Sequence, residues 1–124
     1  MSWTDATCTL QTIQEKLDFF NKERNWSQYH NPRNLAMAVN VEASELLELF
    51  LWCRDDGPQP ALDTRVPQVE EEAADVLICL LNLCGQMNID LAAAIERKIE
   101  KNALKYPVEK SYGRMEKHCE LEQE

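Results

Sequence analysis

The chain has 124 residues, 44% of them apolar, and a formal net charge of −9. That length holds one domain with a real core, expected over about residues 10–107 with a polar tail over about 108–124. The negative balance argues against a DNA- or RNA-polymer surface, and the lack of any uncharged apolar run of about 18 residues argues against a membrane span.

Only three Gly occur and no β-alternating run stands out, so the chain reads as all-α. A capping box at Thr12-x-x-Glu15, or Thr9 a turn earlier, opens helix 1. It runs to about Arg24 and buries Leu10, Ile13, Leu17 and Phe20. Asn25 to Asn31 reads as a loop carrying Trp26 and Tyr29. Asn31-Pro32 is an N-cap followed by Pro at the first helical position, and helix 2 continues to about Trp52. Asp55-Asp56-Gly57-Pro58 stops it, and a polar connection leads to Arg65. Pro67 opens helix 3, which runs to about Gln86. Asn88 or Asp90 caps helix 4, and Pro107 requires it to end by Tyr106. The last 17 residues are polar and read as a loose tail. Five Cys without C-x-x-C spacing read as reduced thiols in a cytoplasm, with no disulfide framework and no zinc site. The N-terminus has no basic-then-apolar signal pattern.

Four carboxylates interrupt two apolar helices. Glu42 and Glu45 lie in the run 35–52, and Glu72 and Asp75 head the run that continues through Leu83. Each pair has i, i+3 spacing and leaves one helix face. At about 100° per residue, Glu42 falls near the centre of a stripe with Leu35, Ala38, Val39, Leu46 and Leu49. Glu72 is likewise central to a stripe with Val69, Val76, Cys79 and Leu83. Dipole compensation accounts for acids at a helix start but not for Glu42 and Glu45, about three turns in. Clustered carboxylates on core stripes are costly to desolvate, and a hard cation relieves them. A di-iron centre would take His from Glu-x-x-His on two helices, and neither His30 nor His118 has that spacing. An all-oxygen set points to Mg²⁺, with Mn²⁺ as a substitute. On helix 4, Lys98, Lys101, Asn102 and Lys105 project from one side, and Tyr106 follows at the end. Ammonium groups suit phosphate oxygens, although in isolation a solvated face paired to nearby Glu explains the strip better.

Taken together, the chain resembles the all-α nucleoside triphosphate pyrophosphohydrolases, the MazG-like group, and within it the dCTP pyrophosphatases. The family signature of E-x-x-E, a spacer, then E-x-x-D reads here as Glu42-Ala-Ser-Glu45, 26 residues, then Glu72-Ala-Ala-Asp75. E-R-N-W (23–26), N-P-R-N-L (31–35), E-L-F-L-W (48–52), E-E-A-A-D-V-L (71–77) and K-N-A-L-K-Y-P-V (101–108) also match. The resemblance covers roughly residues 10–113. It implies a four-helix-bundle-like fold and Mg²⁺-dependent hydrolysis of a nucleoside triphosphate to monophosphate and pyrophosphate, clearing unwanted nucleotides. It assigns Glu42, Glu45, Glu72 and Asp75 to metal, and Lys98, Lys101, Asn102, Lys105 and Tyr106 to phosphate or ligand. Trp26 and Trp52 match base-pocket aromatics. Glu45, with Glu42 as the alternative, is the candidate general base. The dCTP-type members carry His on helix 1 where this chain has Leu17, so the resemblance leaves the base preference open.

Family members form dimers or dimer-of-dimers tetramers. Apolar residues outside the main stripes support a second buried face here: Met37, Val41, Leu47 and Leu51 on helix 2, and Leu77, Ile78, Leu81 and Cys84 on helix 3. Two other readings stay open at this level. One is a different helical nucleotide hydrolase, such as a dUTPase or a phosphoribosyl-ATP pyrophosphohydrolase. The other is a non-catalytic helical oligomer that binds nucleotide or a partner protein.

Overall fold

The computed structural model describes residues 2–53 and 65–121. The helices are α1 (Leu10–Glu23), α2 (Pro32–Glu48), α3 (Val66–Gln86), α4 (Leu91–Lys105) and the one-turn α5 (Val108–Ser111) and α6 (His118–Leu121), with a 3-10 turn at Trp26–Gln28. No strand occurs among the described residues, and the fold is all-α. The expected stop at Asp55–Pro58 and the polar connection after it lie outside the described residues. The chain divides into two compact units, Met1–Ile89 and Asp90–Glu124.

Three helix starts carry side-chain caps. The hydroxyl of Thr9 accepts from the Thr12 N–H at 3.1 Å, so α1 begins at the earlier of its two candidate caps. Asn31 Oδ1 accepts from Asn34 N–H at 2.8 Å, with Pro32 behind it. Asp90 Oδ1 accepts from Ala93 N–H at 3.0 Å. Each satisfies one of the backbone donors that a helix start leaves orphaned.

In the first unit α2 packs along α3, and α3 also meets α1. The buried core residues here are Leu35 on α2 and Leu81 and Cys84 on α3. Leu81 and Cys84 belong to the apolar face of this helix outside the acidic stripe, and both are buried within the unit. The Gln14 amide of α1 reaches α3 and donates to the Leu81 carbonyl at 2.6 Å. It occupies the space where a Cβ on residue 85 would stand, so Gly85 leaves room for the Gln14 amide.

Helix α2 ends sooner than the expected Trp52. Beyond Glu48 the N–H groups of Leu49, Phe50 and Leu51 turn to the tighter i−3 carbonyls. The Leu49 carbonyl, free of a helical partner, accepts from the Arg65 guanidinium, whose Nη1 also lies 3.4 Å from Cys53 Sγ. Trp52 itself adopts a left-handed backbone, φ 64°.

In the second unit α4 stops at Lys105, and Pro107 follows the cap residue Tyr106. The stretch expected as a loose tail is partly folded. It forms α5 and α6, the His118 ring meets Tyr106 edge-on with centroids 5.9 Å apart, and Leu121 is buried. Two such anchors are enough to order short turns in a segment whose composition is otherwise polar.

Candidate functional site

The packing of α2 on α3 brings the two acidic pairs together. Single carboxylate oxygens of Glu42, Glu45 and Glu72 lie within 4.8 Å of one another. Helical phase explains their different surroundings. Glu42 and Glu72, central to their stripes, are half-buried, whereas Glu45 and Asp75, one turn on and about 60° round the helix, are exposed. The site is therefore a cluster open to solvent on one side rather than a sealed cage.

Electrostatics follow from that placement. Burial pushes the Glu42 carboxyl up from its ordinary range, and repulsion from Glu45, Asp75 and Glu72 adds to it. Burial likewise raises Glu72, with Glu45, Asp75 and the neighbouring Glu71 contributing. Glu45 of α2 stands within the same 4.8 Å of Glu72 of α3 as well as of Glu42, so the cluster spans the two helices. One oxygen of Glu72, Oε2, is sealed from solvent without a hydrogen-bond partner. An unpartnered buried carboxylate oxygen calls for a ligand or counter-charge. The donor set is all oxygen, which fits a hard divalent cation held by Glu42, Glu45 and Glu72, with Asp75 beside them.

Asp75 faces a second feature. A cavity of about 660 Å³ opens beside it, walled by α1, the 3-10 turn, α2 and α3. Trp26, Phe20 and Tyr29 supply its aromatic wall, and Leu35, Ala38 and Ile78 part of its aliphatic one. Local structure fixes Trp26. Asn25 takes the left-handed conformation, φ 52°, which Asn tolerates, and turns the chain back after α1. The Trp26 ring then meets Phe20 edge-on at 5.7 Å, while the Arg24 guanidinium covers the Phe20 ring at 3.6 Å. The Tyr29 carbonyl accepts from Asn34 Nδ2 at 3.0 Å, tying this loop to α2. Cys79 also lines the cavity, and burial, with Glu42 and Asp75 nearby, pushes its thiol up, so it stays protonated and unreactive.

The remaining sequence-predicted residues lie elsewhere. Trp52 is 92% exposed and does not line this cavity. Lys98, Lys101, Asn102 and Lys105 lie on α4 and Tyr106 caps it, all five exposed, in the second unit. No carboxylate among the described residues pairs with the three lysines. The sequence reading overlooked Asn21 and Asn82, which also line the cavity. Asn21 continues the Ile13–Leu17 stripe at i+4, so the phase argument that singled out Glu42 would have found it.

The sequence pattern of the MazG-like family matches residues 37–121, which include both acidic pairs. The chain belongs to the MazG-like family. Among the relatives of this MazG-like protein, dCTP pyrophosphatase 1 of Rattus norvegicus is 39% identical over 115 residues, covering 91% of this chain and 68% of that protein. The Homo sapiens dCTP pyrophosphatase 1 is 37% identical with the same coverage. A pyrophosphatase from Archaeoglobus fulgidus, solved by crystallography, superposes with a TM-score of 0.75 at 44% identity, over 79% of this chain and 92% of that one. The MazG-like fold is thus shared.

Proposed function

We propose that this nucleoside triphosphate pyrophosphohydrolase works with Mg²⁺ held by Glu42, Glu45, Glu72 and Asp75, and that dCTP is its preferred substrate. The observation that carries the reading is the carboxylate cluster, with one sealed and unpartnered oxygen, opening through Asp75 onto an aromatic cavity. The names of the mammalian relatives support the choice of dCTP.

Bound Mg²⁺ supplies charge compensation for the triphosphate and polarises its phosphoryl oxygens. The chain's own groups do the rest. Trp26 and Phe20 offer π-faces to the base, and the cavity holds the nucleoside so that its phosphates lie toward Asp75. Water adds to the α-phosphorus, the bond to the oxygen bridging α and β breaks, and monophosphate and pyrophosphate leave. Glu45 takes the proton of the attacking water; it is the exposed member of the cluster and lies beside both Glu42 and Glu72. Following the family resemblance, Lys98, Asn102, Lys105 and Tyr106 bind phosphate, and Lys101 of the same strip joins them. The test is a dNTP panel with and without Mg²⁺, with products identified. Pyrophosphate release that requires Mg²⁺ and vanishes in Asp75→Asn is expected; orthophosphate as the product would overturn the reading.

The proposed working form is a homo-oligomer, a dimer or a dimer of dimers. Met37, Val41, Leu47 and Leu51 all remain exposed, Leu47 at 69%, which supports a covered face in the assembly. Light scattering in solution tests it, and a monomer at working concentration would refute it.

A further inference from the structure

The aromatic cavity has two lining residues of fixed charge, Asp75 on α3 and Lys16 on α1. Lys16 is exposed, and a lysine so placed lays its stem along the apolar wall and keeps its ammonium at the rim. The usual partner of a surface lysine on a helix is an acid three or four residues away. Lys16 has none. Phe20 of the aromatic wall stands at i+4 and Thr12 at i−4, and Ile13 and Phe19 fill the i±3 positions. The adjacent Glu15 accepts from Gln11 Nε2 at 3.1 Å. No ion pair to Lys16 occurs among the described residues. An unspent cation therefore stands on the wall of this cavity, in a chain whose net charge is −9.

The ties between α1 and α3 fix which end of the cavity Lys16 borders. Gln14 bonds the Leu81 carbonyl, and Asn21 Nδ2 donates to Asn82 Oδ1 at 3.1 Å. Both contacts lie six or seven residues beyond Asp75, about 10 Å along α3. Lys16 falls between Gln14 and Asn21 on α1, so it borders the end remote from Asp75. With the phosphates toward Asp75, that end receives the base.

We propose that Lys16 selects cytosine, its ammonium donating to the adjacent ring N3 and O2 of the base. This rests on the pyrophosphohydrolase reading above. Cytosine carries those two acceptors side by side, and an ammonium has donors and no acceptor, so it only donates. Uracil and thymine carry a proton on N3, which the ammonium repels, and leave it a single carbonyl oxygen. The neighbouring polar groups of the wall impose no such sense. The Asn21–Asn82 pair keeps its mutual bond when both amides turn over, and His30 and Tyr29 can each donate or accept. Trp26 and Phe20 stack on any base through their faces, because every base has one. The choice between pyrimidines then falls to the one group whose charge has a single sign in every rotamer.

The test is the ratio of kcat/KM for dCTP to that for dUTP. Both substrates carry the same triphosphate, so any general effect of charge on it cancels in the ratio. Lys16→Met keeps the stem and removes the ammonium, and Lys16→Glu puts an acceptor where the donor was. The wild type should favour dCTP. Lys16→Met should shrink the ratio by about three- to tenfold, as loss of a charge-assisted hydrogen bond at a solvent-exposed rim requires, and Lys16→Glu should shrink it further. Both variants should melt with the wild type, because Lys16 is exposed and unpaired. Calorimetric binding of dCMP and dUMP reads the same contact without turnover. A wild type indifferent to the base, or a ratio unmoved by Lys16→Met, overturns the proposal; if both substrates weaken equally, the ammonium serves the phosphates instead. A gap between dCMP and dUMP that closes in Lys16→Met, without pyrophosphate release by the wild type, keeps the lysine reading and sinks the hydrolase reading. Release with an unmoved gap does the reverse.

Discussion

Removing a carboxylate from the site should make the metal-free protein more stable, not less. Consider Glu42→Gln, which keeps shape and hydrogen-bonding capacity but deletes the charge. Like charges 4.8 Å apart, the outer limit for Glu42 with Glu45 and Glu72, repel by about 0.9 kcal/mol each in a water-like dielectric. The water-like value is the appropriate one for a cluster open to solvent, where screening weakens charge interactions. Two neighbours give about 2 kcal/mol. Burial and its neighbours push the Glu42 carboxyl up, so proton uptake relieves part of this repulsion as pH falls. Thermal unfolding in chelator at low ionic strength should therefore place the midpoint of Glu42→Gln several degrees above wild type. Added salt should narrow the gap. In Mg²⁺ the order should reverse, because the wild type gains the free energy of metal binding and the variant loses a ligand. A variant that melts below wild type in chelator would refute the reasoning. It would mean that Glu42 is held by a favourable contact and that the cluster is not a repulsive site waiting for a cation.

The metal-free protein should also lose stability as pH rises. Burial and mutual repulsion raise Glu42 and Glu72 above their ordinary value of 4.5, so the folded chain binds protons more readily than the unfolded one. Their contribution is full below that value and is lost as pH climbs through the raised range. Glu116, held low by the Arg114 hydrogen bond, acts in the opposite sense only below its ordinary range. Melting in chelator that improves from mildly acid to neutral pH would contradict this. Leu81→Ala, at the one side chain only 1% exposed, should cost about 2–5 kcal/mol in denaturant unfolding. A cost near zero would show that Leu81 is not part of the core of the first unit. Lys105→Ala should raise KM for the triphosphate by about tenfold and leave the melting point unchanged, as loss of one charge-assisted phosphate contact requires. An unchanged KM removes Lys105 from the site.

Much of the site was legible because helical phase is a local property. The i, i+3 spacing placed both carboxylates of each pair on one face, and Glu42 and Glu72 at the stripe centres are the two that the fold half-buries. The caps at Asn31 and Asp90 were readable for the same reason, since each acts within one turn of its own helix. The end of α2 was not readable. Beyond Glu48 the chain tightens to i−3 bonds, and the Leu49 carbonyl meets Arg65, sixteen residues away along the chain. The tail was misjudged because its order rests on a few anchors, His118 against Tyr106 and the buried Leu121, that a polar composition hides.

The sequence by itself determined an all-α chain with two acidic pairs on helix faces, an all-oxygen ligand set and a family, because periodicity, caps and ligand type are written residue by residue. Only the tertiary structure decided that Glu42, Glu45 and Glu72 converge across two helices, that Glu72 keeps an unpartnered oxygen, and that Asp75 opens onto a cavity whose walls include Trp26, Asn21 and Asn82. Those facts depend on how α1, the 3-10 turn and α2 pack around α3. A cavity belongs to the space between elements, and no single segment of sequence encodes it.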